Sequence, residues 1–336
     1  MTVWIWALVL IAAVWAAHWG AEHLASPLRK LRKAWGFTVA AGGSFIGLAA
    51  ASPEIGIAAA SAARGVSDIS LGASLGSNVL AIPAMVTVAY LATRTETIRG
   101  KEKAEHARHR TEHLLRVEKG AVRVQALPYL GVLAVFAALT LPPAWRGLQP
   151  VDGWILLGLY AAYLAQALLR GRQEGEEVEW TKKEVGKAVG GVAALALGAY
   201  FTVRATEEIV SAFGVSRTVA GLFITAPMAA LPEVFATWSV ARSGLITSAV
   251  TSVIGDHVVT MTVAFFPLAL VTLPIDDLRL FTVTLAFVGL VGALYAAFIH
   301  WGAEEHGFKR WQVVALGATY AAYVAVMLVW VLSVFG

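Results

Sequence analysis

Long apolar runs separated by short polar or basic stretches recur along all 336 residues. A helix of roughly 20 apolar residues spans the hydrocarbon core of a bilayer. Ten such runs can be marked, at 3–22, 36–62, 69–93, 124–141, 151–170, 184–203, 218–241, 246–272, 279–300 and 311–335. The pattern predicts an all-α polytopic membrane protein with ten transmembrane helices. Several runs contain Gly and Pro, which membrane helices tolerate when neighbours satisfy the freed backbone groups. No Lys or Arg precedes the first run, whereas a cleaved signal peptide has a basic start, so this segment reads as a retained helix. Composition agrees: 58% of residues are hydrophobic and 14% charged, against about 25% charged in soluble domains.

The positions of the charges add orientation. Alternate connections (23–35, 94–123, 170–187, 242–245 and 301–310) carry 21 of the 26 Lys and Arg, and the opposite side carries only Arg64, Arg146, Arg204, Arg217 and Arg279. The excess of basic residues marks the cytoplasmic side. The long loops are therefore expected in the cytoplasm, both termini outside, and the chain in a prokaryotic plasma (inner) membrane. The net charge of +4 resides in loops, so it points to no nucleic acid. The expected partners are the lipid bilayer and small inorganic cations, and oligomeric state is left open. Cysteine is absent, which excludes disulfides and thiolate metal sites.

The runs also repeat. Shifting the second half back by 179 positions without gaps superimposes Gly221 on Gly42, Ala229-Ala230 on Ala50-Ala51, Pro232-Glu233 on Pro53-Glu54, Gly244 on Gly65, Gly255 on Gly76 and Asp256 on Ser77. The predicted organisation is a first five-helix repeat at 1–170, a linker at 171–183 and a second repeat at 184–336. The repeated cores lie at 42–81 and 221–260. Five spans per half make the two halves inverted with respect to each other, an architecture shared by many secondary transporters.

No Pro-Glu pair occurs apart from these two. A carboxylate near the bilayer centre costs roughly 2.5–3.5 kcal/mol on insertion scales. Proline removes a helix hydrogen bond and crowds the carbonyl four residues earlier, so Pro53 should free Ala49, Pro232 should free Met228, and Pro227 should free Phe223. A carboxylate beside loosened carbonyls makes a suitable half-site for a hard cation such as Ca2+ or Na+. Glu54 and Glu233 are the candidate metal ligands. Asp256 is a third intramembrane acid, Ser77 and Asn78 add neutral oxygens, and His257 is a titratable neighbour. Structural roles compete at several positions: Gly72 and Gly76 suit close packing, Pro227 a kink, His257 an interhelical hydrogen bond, and His18 an interfacial position.

At these residues the chain resembles the cation/Ca2+ exchanger superfamily, whose two inverted repeats read G-T-S-x-P-E, then S-x-x-A-x-x-G-x-x-D, then G-N-x-x-G-S-N-x-x-N/D. The first copy here gives Ala49-Ala50-Ala51-Ser52-Pro53-Glu54, Arg64-Gly65-Val66-Ser67-Asp68, and Gly72 through Asn78 to Ala81. The second gives Met228-Ala229-Ala230-Leu231-Pro232-Glu233, Gly244, and Gly255-Asp256-His257 to Thr260. Gly20-Ala21 and Gly198-Ala199 match the start of each half. The resemblance implies ten helices around a mid-membrane site, with Glu54 and Glu233 on the cation and backbone carbonyls at Ala50 and Ala229 as further ligands. The family's hydroxyl pair is Ala-Ala in both copies, and its last Asn/Asp is Ala81 and Thr260. Asp256, one helical turn before Thr260, is placed either to replace the lost carboxylate or to move the site.

The expected function is secondary antiport of Ca2+ or a related cation against Na+ or H+, with no bound cofactor and no enzymatic reaction. The alternative is a transport-inactive sensor or scaffold of the same fold, suggested by the Ala-Ala pairs. An intramembrane hydrolase is a third reading, weakened because Ser52 precedes proline and no histidine is evidently paired with it. The loop 94–123 reads as an amphipathic helix with His106, His109 and His113 on one face, and Glu174–Glu179 as a flexible acidic linker.

Overall fold

The apolar runs become helices in the computed structural model, which describes residues 3–35, 48–94, 111–117, 126–169, 175, 177–302 and 306–334. In chain order they are α1 (Val3–Ala34), α2 (Ser52–Ala63), α3 (Ser67–Ala92), α4 (Leu127–Thr140), α5 (Pro150–Leu169) and α6 (Lys182–Phe213). There follow α7 (Arg217–Ala220), α8 (Ala226–Arg242), α9 (Ile246–Val259), α10 (Phe265–Leu270), α11 (Leu278–Trp301) and α12 (Arg310–Val326). Among the described residues, seven helices are long and apolar enough to cross a membrane, and Leu127–Thr140 is a shorter apolar one. Large apolar side chains such as Trp4, Leu8, Val189, Phe235 and Val314 point outward, as expected where lipid is the solvent.

Two helices extend well past the apolar runs that announce them. The first run ends near residue 22, yet α1 continues to Ala34, so the basic stretch expected as a loop is helical. Its Leu, Lys and Arg are good helix formers. Lys30 forms an ion pair with Glu184 and donates to the Glu179 carbonyl at 3.0 Å. Glu184 also closes a capping box: its amide donates to Thr181 Oγ1 at 3.3 Å, and its carboxylate accepts from the Thr181 amide at 3.0 Å. This pair fixes the start of α6 at the end of the expected linker.

The chain divides into two compact units. The first is drawn from Met1–Ser74, Pro142–Ala229 and Gly255–Pro274. Here α1 and α6 run antiparallel along a seam of small residues. A Cβ at Gly20 would meet the Gly191 carbonyl oxygen at 2.4 Å, and one at Gly198 would meet the Ala17 amide at 2.5 Å. Only hydrogen fits at these points, and close backbone approach of this kind is how small residues join helices in lipid. Beside this seam, Ile57 of α2 packs with Val66, Ile69, Ala199 and Val203. Gly72 of α3 touches Gly221 in the same way: a Cβ at Gly72 would lie 2.2 Å from the Thr218 carbonyl. Gly72 is thus a packing residue. α5 lies on α10, where Trp154 meets Phe266 edge-on.

The second unit is drawn from Leu75–Leu141, Ala230–Ile254 and Ile275–Gly336. α4 packs on α11, with Phe136 and Phe281 rings 6.4 Å apart. The Tyr295 hydroxyl donates to the Val250 carbonyl at 3.0 Å, which ties α11 to α9. The unit also holds the exception to the all-helical pattern. β1 (Leu114–Arg116) pairs antiparallel with β2 (Gly307–Lys309), with Leu115 opposite Phe308. The amphipathic helix expected over 94–123 is therefore wrong for its described end. Thr111 and Glu112 are helical, but the chain turns at His113 (φ 54°) and becomes extended. Leu115 and Phe308 are completely buried, and covering them favours a ribbon over a solvated helix. His106 and His109 lie outside the described residues.

Candidate cation site

In the first copy the helix breaks where the proline predicts. Residues 48–50 are helical, Ala51 leaves helical geometry (φ −81°, ψ 4°), and α2 restarts at Ser52 with Pro53 in its opening turn. Proline suits that place because its missing amide hydrogen has no helical partner there. Glu54 follows in the first turn, where the positive end of the helix dipole favours a carboxylate. The Ala49 carbonyl is not simply left open, since Ser52 Oγ donates to it at 2.8 Å. The Ser52 hydroxyl is thereby engaged with the backbone of the preceding turn.

The second copy solves the same problem differently. Pro232 sits inside the continuous helix α8. The irregularity lies earlier, in a π-helical turn at Gly221–Thr225 where the Ala226 amide bonds the Gly221 carbonyl. Such turns insert one extra residue into a helix. Thr225 Oγ1 meets Thr206 Oγ1 of α6 at 2.9 Å in the interior. A second π turn, Thr260–Ala264, follows α9 directly.

Within the first unit, α2 packs on this second π turn and on α10. The packing brings Glu54 and Asp256 within electrostatic reach of each other. Glu54 is 7% exposed and Asp256 6%. Among the described residues, Glu54 Oε2, Asp256 Oδ1 and Thr260 Oγ1 are buried without a hydrogen-bond partner. Two buried carboxylates of like charge disfavour joint ionisation unless a positive charge joins them. Their open oxygens are the kind of donor a hard cation takes. His257 is buried beside Asp256, Ala229 is buried, and Ala50 is exposed. The side chain at Ala50 offers no oxygen, and neither does that at Ala229.

The remaining candidates belong to the second unit. Glu233, Pro232 and Ser77 are half-buried there. Asn78 is completely buried, and its Oδ1 accepts from the Tyr129 hydroxyl at 2.9 Å. This bond was not legible in the sequence, because Tyr129 lies 51 positions away on α4.

One residue enters the site unannounced. His18, expected at the membrane interface, is half-buried on α1. A ring nitrogen of His18 lies within 4.8 Å of a Glu54 carboxylate oxygen. The spacing between positions 18 and 54 carries no helical or strand period, so only the packing of α1 reveals the pair.

The family model described as "Sodium/calcium exchanger protein" matches residues 3–169 and 185–329. Among solved structures, the sodium-calcium exchanger NCX_Mj soaked with 10 mM Na+ and zero Ca2+ is 20% identical, with a TM-score of 0.62. The alignment covers 96% of this chain and 99% of that one. The same exchanger with 10 mM Na+ and 10 mM Sr2+ has a TM-score of 0.63, at the same identity and coverage. The H+/Ca2+ exchanger CAX is 14% identical with a TM-score of 0.69, over 96% of this chain and 80% of that one. At these identities the likeness is one of fold. No curated protein sequence matches the chain.

Proposed function

Because the chain belongs to the sodium/calcium exchanger family, we propose that it is a secondary-active cation antiporter working by alternating access at a mid-membrane carboxylate site. The cargo is Ca2+ or a related cation, exchanged for Na+ or H+. The observation that carries this reading is the pair of buried acids, Glu54 and Asp256, each with an oxygen open to a ligand. Acids in that state are costly in a membrane and are found where ions or protons move. Glu233, the repeat partner of Glu54, is proposed as the second metal ligand, with Ser77, Thr260 and the backbone at Ala50 and Ala229 completing the set. The reading includes ten spans in two inverted halves, 1–170 and 184–336, with the basic loops in the cytoplasm of a prokaryotic inner membrane.

The fold is similar to those of a sodium-calcium exchanger and an H+/Ca2+ exchanger, so fold alone favours neither coupling ion. Three carboxylates with few hydroxyl ligands support proton coupling, since a buried acid can trade its proton for a cation. Flux into proteoliposomes, with Ca2+, Mn2+, Na+ and H+ gradients varied one at a time, tests the reading. Gradient-driven uptake is expected, falling by about two orders of magnitude or more in Glu54→Gln and in Glu233→Gln, as for loss of an essential ligand. Uptake that survives in both variants would overturn it. A transport-inactive sensor or scaffold, favoured by the Ala-Ala pairs at 50–51 and 229–230, instead gives no flux and no cation binding by calorimetry of the purified protein.

A further inference from the structure

His18 lies one turn after Val14 on α1, with Nδ1 3.0 Å from the Val14 carbonyl oxygen. A carbonyl can only accept, so Nδ1 carries the hydrogen, and the lone pair of the neutral ring is on Nε2. Nε2 is buried and has no hydrogen-bond partner among the described residues. It shares the interior with Glu54, whose Oε2 is open in the same sense. The ligand atoms of the two side chains are within 4.8 Å of each other. A ring nitrogen and a carboxylate oxygen this close to each other suit a positive centre shared between the two side chains. Two metal–ligand bonds of about 2.0–2.2 Å each bridge atoms within this limit. A ring nitrogen anchored to a backbone carbonyl, with the other nitrogen aimed at a site, is also how proteins orient metal-binding histidines.

Resting on the reading of Glu54 as a cation ligand, we propose that His18 is a nitrogen ligand to the transported cation, so that the site prefers first-row transition divalents such as Co2+, Zn2+ or Mn2+ over Ca2+. Ca2+ fills its sphere with oxygens, and an imidazole there occupies a position it does not use. Transition divalents gain from the nitrogen, and imidazole with carboxylate is a ligand set that suits them. His18 thereby adds a selectivity element contributed by the first helix, outside both Pro-Glu motifs.

The test uses the purified full-length chain in lipid nanodiscs. Pulsed EPR of the Mn2+-loaded protein is expected to show 14N coupling from a directly bound imidazole, and that coupling should vanish in His18→Ala and His18→Gln. Equilibrium dialysis with Co2+ and with Ca2+ should give a Co2+/Ca2+ affinity ratio that drops about tenfold or more in both variants. The Gln variant keeps side-chain bulk and an oxygen donor, so it separates loss of the ligand from loss of the fold. An unchanged ratio, absence of 14N coupling in the wild type, or coupling that persists without His18 would overturn the proposal, even if Ca2+ still binds in a Glu54-dependent way. Binding of neither metal nor Ca2+ by the wild type would instead overturn the reading of the site itself.

Discussion

At Ser52 one hydroxyl changes what the neighbouring proline does. Proline chemistry predicts a bare carbonyl at Ala49, and the serine supplies that carbonyl with a donor from three residues away. Local rules name the freed group correctly, but they do not say which neighbour claims it. The acids are the legible part of the site, because charge inside an apolar run stands out in any linear reading. His18 on α1, close to Glu54, and Tyr129 on α4, bonded to Asn78, are not legible as partners, because their spacing in the sequence carries no period that links them to those residues. The Tyr129–Asn78 bond is testable at this scale. Tyr129→Phe keeps the ring and removes the donor to a buried oxygen, which should cost about 1 kcal/mol. Thermal unfolding in detergent should show a lower Tm, and an unchanged midpoint would mean the bond contributes nothing.

Among the elements, the apolar runs predict where helices exist more reliably than where they end. α1 outlasts its apolar run because basic residues with good helix propensity find a partner in Glu184 at the start of α6. The ribbon of β1 and β2 was invisible for a different reason. Three residues per strand carry no readable alternation, and the two strands are nearly 200 positions apart. The π turns at 221–225 and 260–264 likewise depend on contacts rather than on local pattern. The seam between α1 and α6 gives a contrast within one helix. Gly198→Val places a side chain where a backbone amide already sits 2.5 Å away, and overpacking of this kind costs about 1–3 kcal/mol. Gly186 on α6 faces open space, so Gly186→Ala should instead stabilise the helix by about 0.5–1 kcal/mol. Opposite signs of the Tm shift are expected, and equal losses would refute the seam as described.

On the scale of the whole molecule, the family and the membrane character were legible in the sequence, because repetition and hydropathy are properties of long stretches. Orientation is open to a direct test, since the chain contains no cysteine and each introduced thiol is a unique probe. Lys103→Cys should react with impermeant maleimide only from the cytoplasmic side of vesicles, and Arg146→Cys only from the outer side. The reverse labelling pattern would invert the proposed topology. The glycine seam also has a meaning in time. The face of α1 around Ala13, Ala17 and Gly20 is covered by α6, whose first residue is Lys182, whereas α1 ends at Ala34. At about 5–20 residues per second of synthesis, α1 waits roughly 7–30 s in the bilayer before its partner emerges. During that interval its smooth face is open to lipid, to other nascent helices and to the proteases that police membrane insertion, so the first half of this protein is most vulnerable before the second half exists.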